Sequence, residues 1–253
     1  MIEARQLCAG YGGREVLHSL DARFEGGRVT GIIGPNGCGK STLLKALAGL
    51  HSAVSGQVLV DGTPLEQLGP HKLAQCVAYL PQSRNVPEIS AMRMVLHGRF
   101  AYLSYPRRYR KEDYEAARLA LRWTDAEDLA EKSLKELSGG QRQKIYIAMA
   151  LAQDTGTVLM DEPTTYLDVK NQFETMELAR RLAEMGKAVV LVLHDLSLVL
   201  RHTDDVLLMR DGIIAARGAP EQVYASGEIE NSFGVRLRVL QTPDGPCCYS
   251  VPL

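Results

Sequence analysis

The residues best suited to chemistry lie in the stretch GPNGCGKST, 34–42, which fits the spacing G-x-x-x-x-G-K-[ST] with Gly34, Gly39, Lys40 and Ser41 at the defining positions. The small residues of this stretch, Gly34, Pro35, Asn36, Gly37, Cys38 and Gly39, let successive backbone N–H groups converge on phosphate oxygens with no side chain intruding. Lys40 supplies a point charge near the β and γ phosphates, the Ser41 hydroxyl suits Mg²⁺, and Thr42 continues the turn. The spacing therefore predicts a nucleotide phosphate site. Two carboxylates, Asp161 and Glu162, close the apolar run Val-Leu-Met. Beside such a loop Asp161 is placed to hold Mg²⁺, directly or through water, and Glu162 to polarise a water for in-line attack on the γ-phosphate. A third stretch, LSGGQRQ at 137–143, offers a helix cap in Ser138 and exposed backbone N–H groups at Gly139 and Gly140, ahead of Gln141. That is a second phosphate-binding device, which one γ-phosphate rarely needs unless it serves another protomer's nucleotide.

These groups need strands and helices to aim them. Val29–Ile33 reads as a short buried strand before the loop, and Ser41–Leu47 as a helix with its positive end on the anion. Upstream, Ile2–Cys8 and Glu15–Phe24 read as strands around a glycine-rich turn that contains Tyr11. Gln57–Val60 closes at Asp61-Gly62, a hairpin signal, and Val77–Leu80 ends at Pro81-Gln82. From about 87 to 157 the pattern turns helical: a helix capped by Ser90, one over Glu112–Trp123 with Leu119 and Leu121 on its apolar side, and one over Gly139–Gln153. Strands and helices then alternate through Thr157–Met160, Val169–Met185, 188–193, a helix after Asp195, Val206–Met209 and Ile213–Ala216, which predicts a mostly parallel sheet covered by helices. The last thirty residues, from about Glu221, read as an appendage ending in a hairpin around Pro243-Asp244-Gly245. The basic run Arg107, Arg108, Arg110 and Lys111 is either a solvated loop face or a contact with a charged partner.

The 253 residues, 45% hydrophobic and 23% charged with formal net charge −1, describe an ordinary globular chain and lend no support to nucleic-acid binding. The start, MIEARQLCAG, has no secretory pattern, and no apolar run reaches the length of a membrane span, so any membrane role is expected to be peripheral. Five cysteines, at 8, 38, 76, 247 and 248, have neither metal-ligand nor disulfide-framework spacing, which suits a reducing cytoplasm. Cys38 reads as a small residue that fits the loop, with a redox switch as the alternative.

At Leu137–Gln143 the chain resembles an ATP-binding-cassette (ABC) ATPase subunit, and the likeness extends over nearly its whole length. The resemblance implies an α/β P-loop NTPase core with an N-terminal antiparallel β-subdomain (about 1–86 and 158–220), an inserted α-helical subdomain (about 87–157) and a C-terminal appendage (about 221–253). Tyr11 is similar to the aromatic that stacks on adenine, and Gln82 to the glutamine that reaches Mg²⁺ and couples the helical subdomain to it. Thr164–Asp168 resembles the loop that crosses the dimer interface, and His194 the histidine that contacts the γ-phosphate. VLHGRF (95–100), DEPTTYLD (161–168) and VLHDLSLVLRHTDD (192–205) resemble ferric-siderophore importer ATPases, with cobalamin and haem importers as near neighbours. The resemblance implies ATP and Mg²⁺ as cofactors. It also implies a homodimer working with membrane permease subunits and, indirectly, a substrate-binding protein, at the cytoplasmic face of a membrane. A soluble ABC protein acting on DNA or ribosomes, or a P-loop kinase or GTPase, is the rival reading. His97 and the Cys247-Cys248 pair depart from the family's pattern.

Overall fold

The computed structural model describes residues 1–82, 85–242 and 245–252. The chain opens with an antiparallel pair, β1 (Ile2–Tyr11) and β2 (Arg14–Phe24). In β1 the buried set is Ile2 and Ala4, then Leu7 and Ala9, a change from even to odd positions. A bulge around Gln6, whose φ is +45°, makes this possible, since one extra residue returns the later side chains to the same face. Tyr11 ends β1 opposite Arg14, so the turn is Gly12–Gly13 and Tyr11 stands beside it rather than in it.

β3 (Arg28–Ile33) leads through the glycine-rich loop into α1 (Lys40–Leu47). The hairpin of β4 (Ser55–Val60) and β5 (Thr63–Pro64) turns at Asp61-Gly62 and completes a four-stranded sheet in the order β2-β1-β4-β5. α2 (Pro70–Cys76) and β6 (Val77–Leu80) follow. The helical stretch comprises α3 (Ala91–His97), α4 (Lys111–Trp123) and α5 (Gly139–Ala152). The remaining order is β7 (Thr157–Asp161), α6 (Val169–Glu184), β8 (Ala188–Val192), α7 (Leu196–His202), β9 (Asp205–Arg210) and β10 (Ile213–Gly218). α8 (Pro220–Ala225), α9 (Glu228–Phe233) and the hairpin β11 (Val235–Thr242) with β12 (Gly245–Pro252) end the chain. The expected turn residues Pro243 and Asp244 lie outside the described residues.

The second sheet runs β10-β9-β3-β8-β7-β6, parallel except for the edge strand β10. Its inner strands β7 and β8 are buried on both faces, so they read as continuous apolar runs. Ile32, Leu159, Val190 and Leu207 point to one side, where they meet Leu43 and Leu47 of α1 and the β1–β2 residues Ile2, Leu17 and Phe24. Val158, Met160, Val189 and Leu191 point to the other, against Met176 and Leu182 of α6 and Leu198 of α7. A third cluster, Val95, Leu121, Leu134, Ile145 and Ala148 among its members, belongs to the helical stretch. Among the described residues, Met94 and Leu151 pack against both the second and third clusters.

Within α4 the expected pairing of Leu119 with Leu121 on one face does not occur. Leu121 is fully buried and Leu119 is 50% exposed. Residues two positions apart on a helix are separated by about 200° around its axis, so both cannot face the same core. Ala117, Ala120 and Leu121 form the buried stripe, and full burial of Leu121 contributes about 2 kcal/mol.

Candidate functional site

The parallel order places four strand ends along one edge of the sheet. β3 delivers the glycine-rich loop, β8 delivers His194 two residues beyond its last residue, β7 delivers Asp161 and Glu162, and β6 delivers Gln82. Ligands of open α/β sheets bind outside such carboxyl ends. The loop enters α1 through Gly39 at φ +104°, where an added Cβ would lie 2.7 Å from a Leu17 methyl. Only glycine combines that backbone with that proximity. From below, Gly212 in the β9–β10 turn donates its N–H to the Cys38 carbonyl (3.2 Å), while His18 donates its own N–H to Gly212 O (2.9 Å).

Lys40 is buried, and its ammonium donates to the Gly34 and Pro35 carbonyls at 2.7 and 2.9 Å. Ser41, in the first turn of α1, donates its hydroxyl to Asp161 Oδ1 at 3.0 Å. Tyr79 donates to Asp161 Oδ2 at 3.2 Å. Burial raises the Asp161 carboxyl above its ordinary pKa, against the lowering effect of the Ser41 and Tyr79 hydrogen bonds. Cys38 is buried too, and that burial pushes its thiol up, away from the thiolate a redox switch requires.

Glu162 is gripped from both sides. Gln82 Nε2 donates to Oε2 at 2.5 Å from the β6 side, and Thr165 Oγ1 donates to the same oxygen at 3.0 Å. His194 Nε2 lies 2.6 Å from Oε1 on the β8 side. With Glu162 ionised, the imidazole nitrogen is the donor. The Glu162 side chain is 13% exposed and that of His194 42%, so the carboxylate is the more enclosed of the pair. Glu162 itself has φ +51°, a left-handed conformation that costs a non-glycine residue about 1 kcal/mol.

At the head of α5, Ser138 accepts from the Gln141 N–H (3.2 Å) and Gln141 Oε1 accepts from the Ser138 N–H (3.0 Å), a reciprocal capping box. Ser138 and Gly139 are exposed. Among the described residues no hydrogen bond joins Ser138–Gln141 to Gly34–Thr42. Gly140 is buried, and an added Cβ would sit 2.0 Å from Asn171 Oδ1. The Asn171 amide donates to both carboxylate oxygens of Asp168 at 2.8 Å, and Asp168 caps α6 by accepting from the Asn171 N–H. Asn171 thus joins the Thr164–Asp168 loop to the LSGGQ stretch. Tyr11 is half exposed, with one ring face on His51 at 4.3 Å between centroids.

Tyr79 and Asn171 are site residues that the sequence does not single out, and Thr165, expected only as part of the interface loop, also reaches Glu162. Tyr79 precedes the end of β6 by one residue, and its reach to Asp161 depends on β6 lying beside β7, a neighbour relation with no local sequence signal. Thr165 and Asn171 could have been found from their distance of three residues beyond Glu162 and Asp168, the spacing of one turn.

Fold and site together define a P-loop NTPase of the ATP-binding-cassette class. A profile of the ABC transporter family matches residues 17–165. The chain is 40% identical to the "Probable siderophore transport system ATP-binding protein YusV" of Bacillus subtilis (strain 168), over 96% of this chain and 89% of that protein. It is 38% identical to the ferric enterobactin transport ATP-binding protein FepC of Escherichia coli (strain K12), over 100% and 94%. A solved metal-chelate type ABC transporter in an inward-facing conformation superposes with TM-score 0.85 at 28% identity, covering 100% of this chain and 97% of that one. The chain belongs to the ABC transporter family, whose ATP-binding proteins hydrolyse ATP to power transport. No helix among the described residues is long and apolar enough to cross a membrane.

Proposed function

We propose that this chain is the ATP-hydrolysing subunit that powers import of a metal chelate, a ferric siderophore in the first instance, through a membrane permease, with cobalamin or haem as the alternative cargo. The observation that carries the hydrolytic reading is Glu162, held at a strand end between Gln82, Thr165 and His194 beside a phosphate-binding loop. The cargo is argued from the siderophore and enterobactin relatives.

Glu162 accepts a proton from the attacking water, and its three neighbours hold the carboxylate in line. His194 holds the γ-phosphate from the other strand end, and Lys40 turns from the loop carbonyls towards phosphate oxygens. Ser41 Oγ and Asp161 Oδ1 stand 3.0 Å apart, with the Gln82 side-chain carbonyl oxygen as a further donor. This all-oxygen set fits Mg²⁺, and the desolvated Asp161 carboxylate favours a cation. When bound there, Mg²⁺ supplies charge stabilisation to the phosphate oxygens. Tyr11 offers its free ring face to adenine. Ser138–Gln141 serve the nucleotide of a second copy, so two copies sandwich two ATP molecules with Asp168 at the interface. The subunit works at the cytoplasmic face of the membrane, as a peripheral partner of the permease and, through it, of a substrate-binding protein. The helical stretch, about 87–157, transmits dimer closure to the permease.

Glu162→Gln tests the reading. Phosphate release should fall at least about a hundredfold while ATP binding persists, and gel filtration with ATP and Mg²⁺ should show a trapped dimer. Turnover at the wild-type rate would sink the base assignment.

A further inference from the structure

His194 sits on a three-residue link between β8 and α7, and its 2.6 Å contact with Glu162 depends on where that link is held. Inboard, the Leu193 N–H donates to Ile32 O of β3 at 3.1 Å. Outboard, the first turn of α7 is capped by Asp195, which accepts from the Ser197 and Leu198 N–H groups. That cap is internal to the turn, and the buried Leu198 and Val199 fix only its inner side. The C-terminal residues hold its outer side. Ser197 Oγ donates to Cys248 O of β12 at 2.8 Å and lies 3.3 Å from the Cys248 N–H, so one hydroxyl spans both backbone groups of a single residue. Tyr224 of α8 donates its hydroxyl to Leu196 O at 2.7 Å and touches the Cys248 thiol at 3.2 Å. The hairpin is anchored in turn, through Leu237 N–H to Glu230 of α9 at 2.6 Å.

We infer that the C-terminal hairpin and α8 position His194 for hydrolysis, with Ser197 as the positioning residue that transmits their hold. The inference rests on the hydrolytic reading of the site. Without the Ser197 hydroxyl, α7 keeps its Asp195 cap and its buried Leu198 and Val199, so the fold stands while the first turn loosens. Burial and the contact with Cys248 push the Tyr224 hydroxyl well above its ordinary pKa, which keeps it a donor across the working range.

The test uses the full chain with ATP and Mg²⁺. Ser197→Ala should lower kcat on the order of tenfold with KM for ATP and the thermal midpoint unchanged, and Ser197→Thr should restore most of the rate. In a His194→Ala background the same change should cost nothing further, because it acts through that imidazole. The His194 ring resonances, assigned by their loss in His194→Ala, should shift in Ser197→Ala whether or not ATP is turned over. A wild-type chain that hydrolyses no ATP would sink the proposed function, and unmoved ring resonances or an equal loss in both backgrounds would overturn the positioning role.

Discussion

Glu162 and Gly140 are two site residues whose identities the surrounding geometry constrains. Glu162 accepts the strain of a left-handed backbone, and in return its carboxylate meets donors delivered by the strands on either side of β7. Gly140 is constrained by closeness alone. Alanine in a helix is ordinarily better than glycine by roughly 0.5–1 kcal/mol, yet a Cβ here would collide with Asn171. Gly140→Ala should therefore drive Asn171 off Asp168 and lower ATP hydrolysis by about tenfold. Adding Asn171→Ala should recover part of the rate, and a double variant no better than Gly140→Ala would refute the clash as the cause. The phosphate loop was legible from spacing because its chemistry is local, carried by adjacent residues. Tyr79 was not, because it acts across the fold on Asp161, far away in the chain.

The helical stretch is held by an ion pair as well as by its apolar cluster. Arg99, just beyond α3, donates Nε to Asp113 of α4 at 3.1 Å and Nη1 to the Ala152 carbonyl at the end of α5 at 2.9 Å. Both side chains are largely buried, 15% and 8% exposed, and Asp113 also accepts from the Arg110 N–H. Arg99→Ala strands the Asp113 carboxylate and three elements at once. It should cost about 3 kcal/mol in urea denaturation, and Arg99→Lys should recover little because an ammonium cannot serve both directions. Element types and order were readable in the sequence, since strands buried on two faces and capped helices leave strong local marks. The failure at Leu119 came from counting apolar residues without their angle. The bulge at Gln6 was hidden because it displaces the alternation rather than erasing it.

For the molecule as a whole, the two proposed phosphate-binding devices sit on different elements, the loop at the head of α1 over the sheet and Ser138–Gln141 at the head of α5, which packs in both the helical cluster and the sheet's core. If each nucleotide is shared between copies, Ser138→Arg and Lys40→Ala should each be inactive alone. Mixed together they should regain measurable hydrolysis, because one composite site per mixed dimer keeps both a sound loop and a sound capping box. Absence of any recovery would refute sharing. The spatial order of the strands, which brings Gln82, Glu162 and His194 together, was beyond the sequence reading, since every parallel connection permits several neighbours.

The seam between the helical cluster and the sheet's core has a bearing on how such a protein diversifies. α5 lies along it, with Ile145 and Ala148 in the helical cluster and Tyr146, Ile147 and Ala150 in the sheet's core, and Met94 and Leu151 pack on both sides. The buried apolar residues of α4 belong to the helical cluster and none to the sheet's core, so substitutions on the exposed face of α4 have a short energetic reach, and their effects should add independently to changes at the phosphate loop. A lineage can refit this surface to a new neighbour by small steps, each neutral for the nucleotide chemistry, while Lys40, Asp161 and Glu162 stay as they are.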